Sequence, residues 1–276
     1  MNYVVAVRGG VDSVVLLDMM SRLPDVRLIV AHFNHGIRND AEHDARFVER
    51  LAEKYGAAFE TAAVALGPEA SEDEARRYRY AFLRKLAKRY GAQLVTAHHS
   101  DDLVESVVIN VTRGTGWRGL AVMNSDVLRP LLGMTKQELI DYALKHGLEW
   151  HEDSTNASDK YLRNRIRRRS MKLPRQTKEK VADLRQEQVR VRKEIEAEVK
   201  QLVGEGPTYE RYFFIHAPAA AALECLKVVT GGRLTRPQLE RALLTIKAAK
   251  PRSTYQAGGK VELHFTPRQF VVELIK

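Results

Sequence analysis

The residues best suited to chemistry come early. In VVAVRGGVDSVVLL, at positions 4–17, an apolar run ending at Val7 stops at Arg8, and Gly9, Gly10, Val11, Asp12 and Ser13 lead into another. Adjacent glycines after a buried strand let the backbone approach a ligand closely and take angles closed to other residues. Opening onto a helix, such a turn aims N–H groups at an anion, and the helix dipole assists. That is phosphate-binding geometry. It is not a Walker loop, since no Gly-Lys-Ser/Thr follows, and the third glycine of a dinucleotide fingerprint is missing. A second group, Asp101, Asp102 and Glu105, puts three acids in five residues. Asp102 and Glu105 are three apart, so on a helix they share a face where an acid can accept a proton. One of the three, Asp101, is expected to cap the helix that starts near Leu103. His32, His35, His98 and His99 form a third group, but no pair is spaced i, i+4 and no thiol helps. That argues against zinc and leaves hydrogen bonding or packing, with any metal ligands unassigned.

These groups fall at the ends of apolar runs that alternate with amphipathic ones. Strands are expected at 3–7, 26–33, 58–64, 93–97 and, briefly, 127–128, with helices at 13–20, 41–55, 72–90 and 103–111 between them. The rhythm predicts an α/β fold, a Rossmann-like parallel sheet with helices on both faces. Ligands of such sheets bind outside the carboxyl ends of the strands. Helices are also expected at 135–146, 163–170 and 179–203, the last with Val181, Leu184, Val191, Ile195 and Leu202 at mostly heptad spacing. Gly204, Gly206 and Pro207 break it. Strand-like 212–216, 261–265 and 270–275 and helical 223–229 and 236–247 then make a small α+β unit. The domains read as 1–175 for the catalytic unit, 176–206 for a helical connector and 207–276 for the small α+β domain.

Composition narrows the partners. The formal charge is 45 − 35 = +10 with a pI near 9.7, which favours an anionic partner. Residues 160–180 hold ten Lys or Arg against the single acid Glu179. A one-signed cluster repels itself unless phosphates screen it, so nucleic acid is the expected partner. Cys225 is the one cysteine, which rules out a disulfide framework or a cysteine-based metal or redox pair. No apolar run approaches about 18 residues, so a membrane partner is not expected and a cytoplasmic location is. The sequence leaves a homodimer open.

RGGVDS resembles the SGGxDS phosphate loop of the N-type ATP pyrophosphatases, or PP-loop enzymes, which cleave ATP between the α and β phosphates. Five further segments, in order, resemble the tRNA(Ile)-lysidine synthetase family within that group. They are HFNHGIRNDAEHDARFV at 32–48, SEDEARRYRYAFL at 71–83 and TAHHSDDLVESVVINVTRGTGWRGLAVM at 96–123, then RPLLGMTKQELIDYALKHGLEWHEDSTN at 129–156 and YLRNRIR at 161–167. The match covers residues 3–170 in detail and the rest loosely. It is similar to a short form that lacks the extra C-terminal domain of longer members. Two positions depart from the family. Arg8 stands where its loop opens with serine, and Leu103 where it usually has glutamine. Arginine is the stronger phosphate partner but far larger. Its guanidinium either swings out to hold the pyrophosphate end of ATP or fills the pocket.

The resemblance implies ATP-dependent replacement of the oxygen at carbon 2 of the wobble cytidine by free L-lysine. The RNA is tRNA(Ile) with a CAU anticodon, the intermediate is an adenylated cytidine, and the products are lysidine, AMP and pyrophosphate. ATP would lie on Val7, Arg8, Gly9, Gly10, Val11, Asp12 and Ser13, with His32 and His98 toward adenine or ribose and Mg2+ accompanying it. Asp102 and Glu105 would bind the lysine and act in catalysis with Arg113, since two carboxylates can grip one ammonium. Arg38, Arg76, Arg79, Arg163, Asn164 and Arg167 would contact the tRNA, where phosphate contacts position and base contacts select, and the small domain would add substrate or tRNA surface. Thiolating PP-loop enzymes need a cysteine pair or an iron–sulfur cluster, which one cysteine cannot supply. The remaining rival is a tRNA-binding protein with a degenerate, inactive loop, for which Arg8 is the evidence.

Overall fold

A computed structural model of the chain describes residues 1–34, 41–65, 72–151, 166, 169–170 and 173–275. It separates into two compact units, Met1–Gln188 and Val189–Lys276. Among the described residues no helix is long and apolar enough to cross a membrane.

In the first unit the strands are β1 (Asn2–Ala6), β2 (Arg27–Asn34), β3 (Ala58–Ala63) and β4 (Gln93–Val95). They form a parallel sheet in the order β3-β2-β1-β4. Between them run α1 (Val11–Ser21), α2 (Ala41–Lys54) and α3 (Glu72–Arg89), followed by α4 (Ser100–Thr112) and α5 (Lys136–Lys145). Alternate strand residues point to opposite faces, and both faces are covered. Val5, Val30 and Val95 pack with Leu16, Val48 and Leu139 from α1, α2 and α5. Val4, Ile29 and Leu94 pack with Leu83 and Leu86 from α3. Instead of a fifth strand at 127–128 there is a single bridge, Leu128 to Val95. Pro130 and the 3-10 turn Pro130–Gly133 follow too soon for pairing to continue.

Helix α1 is apolar nearly all round and lies inside, so its one mid-helix acid needs partners. Asp18 accepts hydrogen bonds from Arg22 Nε (2.9 Å), Tyr55 Oη (3.0 Å) and Tyr142 Oη (2.7 Å), binding α1 to α5 and to the residue that follows α2. Burial opposes its charge, and these donors still hold the carboxyl below its ordinary value.

The order β3-β2-β1-β4 positions the site. The chain leaves β1 toward β2 on one side and returns later to β4 on the other, so a crevice opens between the carboxyl ends of β1 and β4. The turn after β1 carries residues 8–13, and the turn after β4 carries His98 and His99, with the three acids in the first two turns of α4.

Helix α6 (Arg175–Val203) crosses the division between the units. The second unit adds β5 (Thr208–Glu210), α7 (Arg211–His216), α8 (Ala219–Val229), α9 (Arg236–Ala248), β6 (Thr254–Gly258), β7 (Val261–Phe265) and β8 (Gln269–Leu274). Its antiparallel sheet runs β5-β8-β7-β6 around Phe214, Leu226, Ile246, Leu263 and Phe270. The strand expected at 212–216 is helix α7. Aromatic residues suggest a strand, but the buried members, Arg211 and Phe214, are three apart, which is helical phase. Arg211 donates to the carbonyls of Ile246 (2.7 Å) and Ala249 (3.0 Å), capping the end of α9.

Candidate active site

The turn after β1 is held at each residue. Gly9 has φ +97°, and a Cβ there would stand 3.3 Å from Phe47 Cδ1, so backbone and packing both demand glycine. Gly10 is the N-cap of α1. The Ser13 hydroxyl accepts from Arg8 N–H (3.2 Å) and donates to the Gly10 carbonyl (2.9 Å), stitching the turn across its base. From outside the turn, His151 N–H donates to the Gly9 carbonyl (2.9 Å). His32 lies buried behind it, its Nδ1–H directed at the Val7 carbonyl (3.0 Å). Burial pushes the His32 imidazole down, so it sits there neutral.

The turn after β4 is an electrostatic knot. His99 caps α4, its Nδ1 accepting from Asp101 N–H (3.3 Å) while Asp102 Oδ2 accepts from His99 N–H (3.1 Å). The capping carboxylate is therefore Asp102 and not Asp101. Asp101 turns inward, taking Lys136 N–H (2.9 Å) and the Lys178 ammonium. Both members of the Asp101–Lys178 pair are buried. Burial opposes the charge on Asp101, yet bonds from His99, Lys178 and Lys136 hold it well below the usual carboxylate range. His99 Nε2 lies 3.4 Å from Asp102 and 3.8 Å from Asp12. Burial alone would lower this imidazole, but Asp101, Asp102 and Asp12 outweigh it and raise it. The neutral ring caps the Asp101 N–H; protonated, the same nitrogen has the Asp101 carboxylate 3.5 Å away. His98, bonded to Thr96 Oγ1 (2.8 Å), is pushed down to about 4 by burial.

Between the two turns lies a cavity of about 580 Å³. Val7, Arg8, Gly10, Val11, Asp12 and Ser13 line one side, and His98, Asp102 and Lys136 the other. Lys136 Nζ donates to Asp12 Oδ1 (2.6 Å), joining the acid side to the glycine turn. Phe33, Tyr80, Leu83 and Ile140 supply apolar wall. Arg8 is exposed, and the cavity stands open beside it.

Not every expected residue comes to this cavity. Gly9, buried within the turn, and His32, buried behind it, do not line the cavity. Glu105, one turn beyond Asp102, is buried and does not line it. Arg113 is the C-cap of α4, about 16 Å along the helix from Asp102 by rise per residue. Arg76 and Arg79 lie over the Tyr80 ring at 4.8 and 5.7 Å, and Arg79 reaches the cavity. Arg38, His35, Arg163, Asn164 and Arg167 fall outside the described residues. Of the basic run at 160–180, Lys178 is committed to Asp101, and Arg175 pairs with Glu138 and Glu179. Those two cations serve the fold.

Sequence reading passed over Lys136, Asp44, Trp150 and His151, all of which line the cavity. A signal existed for Lys136: Thr135 and Glu138 form a capping box, which fixes Lys136 as the first residue of α5.

A profile of the PP-loop domain matches residues 1–173. The chain belongs to the PP-loop family. Among curated proteins, this PP-loop chain is 41% identical over 179 residues to the tRNA(Ile)-lysidine synthase of Geobacter sulfurreducens, covering 59% of the chain and 38% of that protein. It is 36% identical over 195 residues to that of Thermotoga maritima, covering 66% and 47%. With that of Lactobacillus johnsonii the identity is 39% over 183 residues, covering 60% and 42%. The chain thus spans half or less of the length of these relatives. Among solved structures, the U34-tRNA thiolase NcsA of Methanococcus maripaludis with its 4Fe-4S cluster superposes with a TM-score of 0.56 at 18% identity. That match covers 69% of this chain and 71% of that one, a likeness of fold.

Proposed function

We propose that this PP-loop chain forms lysidine, joining free L-lysine to carbon 2 of the wobble cytidine of tRNA(Ile) with a CAU anticodon at the expense of ATP. The carrying observation is that the glycine turn, Lys136 and Asp102 face one cavity at the switch point of the sheet. An anion cradle, a cation and a carboxylate at such close quarters suit a triphosphate on one side and an amine on the other.

The cytosine oxygen at carbon 2 attacks the α-phosphorus, the bond to the β-phosphate breaks, and pyrophosphate leaves with the electron pair. The first turn of α1 presents backbone N–H groups to the phosphates. Arg8 and Lys136 supply positive charge, Lys136 by sharing itself between Asp12 and a phosphate oxygen. Asp12, partly exposed on the cavity wall beside the glycine turn, offers a hard carboxylate oxygen that would hold Mg2+, which when bound would neutralise phosphate charge. The apolar wall with His98, kept neutral by burial, suits the adenosine end.

In the second step the lysine ε-amine attacks carbon 2, the carbon–oxygen bond breaks and AMP leaves. Asp102, on the cavity wall, holds the ammonium and takes its proton, while Glu105, buried one turn further along α4, does not reach the amine. Arg76 and Arg79, stacked on Tyr80, present cations and a ring to the RNA. Arg113, at the far end of α4, takes part in neither step. The test supplies tRNA(Ile) transcript, ATP and radiolabelled lysine. Label should enter the tRNA with one AMP released per lysine joined, and a CAU→GAU anticodon should abolish both. Nucleotide turnover indifferent to tRNA, with no label transferred, would overturn the reading.

A further inference from the structure

A cluster at the cavity's edge takes no part in the chemistry above. His43 and Asp44, in the first turn of α2, meet His151, and one ligand atom from each lies within 4.8 Å of the other two. We propose that these three residues bind a divalent transition-metal ion of the Mn2+, Co2+, Ni2+ and Zn2+ class.

His151 Nδ1 and Asp44 Oδ1 are 2.9 Å apart. Ligands bonded at about 2.1 Å to one ion sit about 3.0–3.4 Å from each other, so this pair stands near coordination spacing. The His151 ring is clamped. Phe47 stacks on it at 4.1 Å, and its own backbone N–H is fixed to Gly9. His43 is exposed, its ring 4.9 Å from that of His151 and 6° from parallel. It closes the site by a side-chain rotation, with water completing the shell. Two imidazoles and one carboxylate suit the later first-row ions, whereas Mg2+ prefers oxygen throughout. The site is therefore distinct from one serving the Mg2+ of ATP. Asp44 and His151 both line the cavity that holds the glycine turn. An ion there joins α2 to the segment that grips Gly9, and so stiffens the turn.

The experiment uses the full chain, purified without a polyhistidine tag and stripped of metal, titrated with Co2+ in millimolar Mg2+. The expected result is a saturable visible absorption band with one-to-one stoichiometry, and a melting temperature raised by Zn2+. His43→Ala, an exposed change, should weaken Co2+ binding at least tenfold and remove the Zn2+ shift, with the circular dichroism spectrum unchanged. His151→Asn should do the same to binding. Absence of a saturable band, or a band that survives His43→Ala, would overturn the proposal. Neither readout needs tRNA or turnover, so failure of the lysidine reading would leave this result standing.

Discussion

The two compact units treat buried polarity differently. Among the described residues, the first buries ten polar or charged side chains, from Ser13 to Lys178, while the second buries Arg211 and Thr230. The first unit is about twice as long, so length alone does not account for the ratio. In the second unit both groups serve backbone carbonyls: Arg211 caps α9, and Thr230 Oγ1 donates to Leu226 (2.8 Å). In the first unit, buried charges are paired just behind the cavity wall: His99 lies against buried Asp101 and the partly exposed Asp12 and Asp102, and Lys178 against Asp101. Burying a charge is costly without a partner. A fold that concentrates such pairs at one crevice is organised around what the crevice must hold, whereas the second unit spends its polar groups on closing helices.

The sharpest way to break this contrast is at its most buried pair. Asp101→Asn removes the charge that answers Lys178 and should cost about 3–5 kcal/mol, read as a lower urea midpoint. Because the Asp101 carboxyl is held low in the fold, its contribution is present above its unfolded value and lost as pH falls below it. A loss under 1 kcal/mol would show that the pair is not buried as a pair. Next is Lys136→Ala, which should lower kcat/KM for lysidine formation about 100-fold, in the range seen for removal of one charge-stabilising donor. Wild-type turnover in that variant would remove Lys136 from the phosphate site.

His98 gives a smaller, pH-dependent effect. Its folded value is about 4 against 6.5 unfolded, so the unfolded chain takes up the proton first as pH falls. Stability should drop between pH 6.5 and 4 by on the order of 2 kcal/mol from this group. His98→Gln should flatten that slope, and an unchanged slope in equilibrium unfolding would refute the assignment. His99, held above its ordinary value, has the opposite sign, its contribution being lost as pH rises through its folded value. The smallest effect belongs to the second unit. Thr230→Val should cost about 1 kcal/mol of stability and leave kcat untouched; a fall in kcat would mean that the units do not divide their labour.

Much of this was legible because it depends on neighbours in sequence. Gly9 and Gly10 between two apolar runs mark the turn, and the long amphipathic stretches of α2, α3 and α6 show their period. Leu103, where the family resemblance calls for glutamine, is simply core, 1% exposed. What escaped depends on distance along the chain. Lys136 meets Asp12 across 124 positions, and His151 meets Asp44 across 107, so no local pattern signals either contact. The acids near residue 101 were recognised as a group, but the division of roles among them was not. Which carboxylate caps α4 and which anchors α5 is decided by where Lys178 arrives from α6. In α7, aromatic residues with strand preference obey a helical burial phase set by the core of the second unit.

The most direct test of the account is a crystal structure of the chain with a non-hydrolysable ATP analogue and Mg2+. The triphosphate is expected on the N–H groups that open α1, with the Arg8 guanidinium and Lys136 Nζ against its oxygens and Asp102 facing it. Density for the analogue outside the 580 Å³ cavity, or the Arg8 side chain lying across the turn in its place, would contradict it.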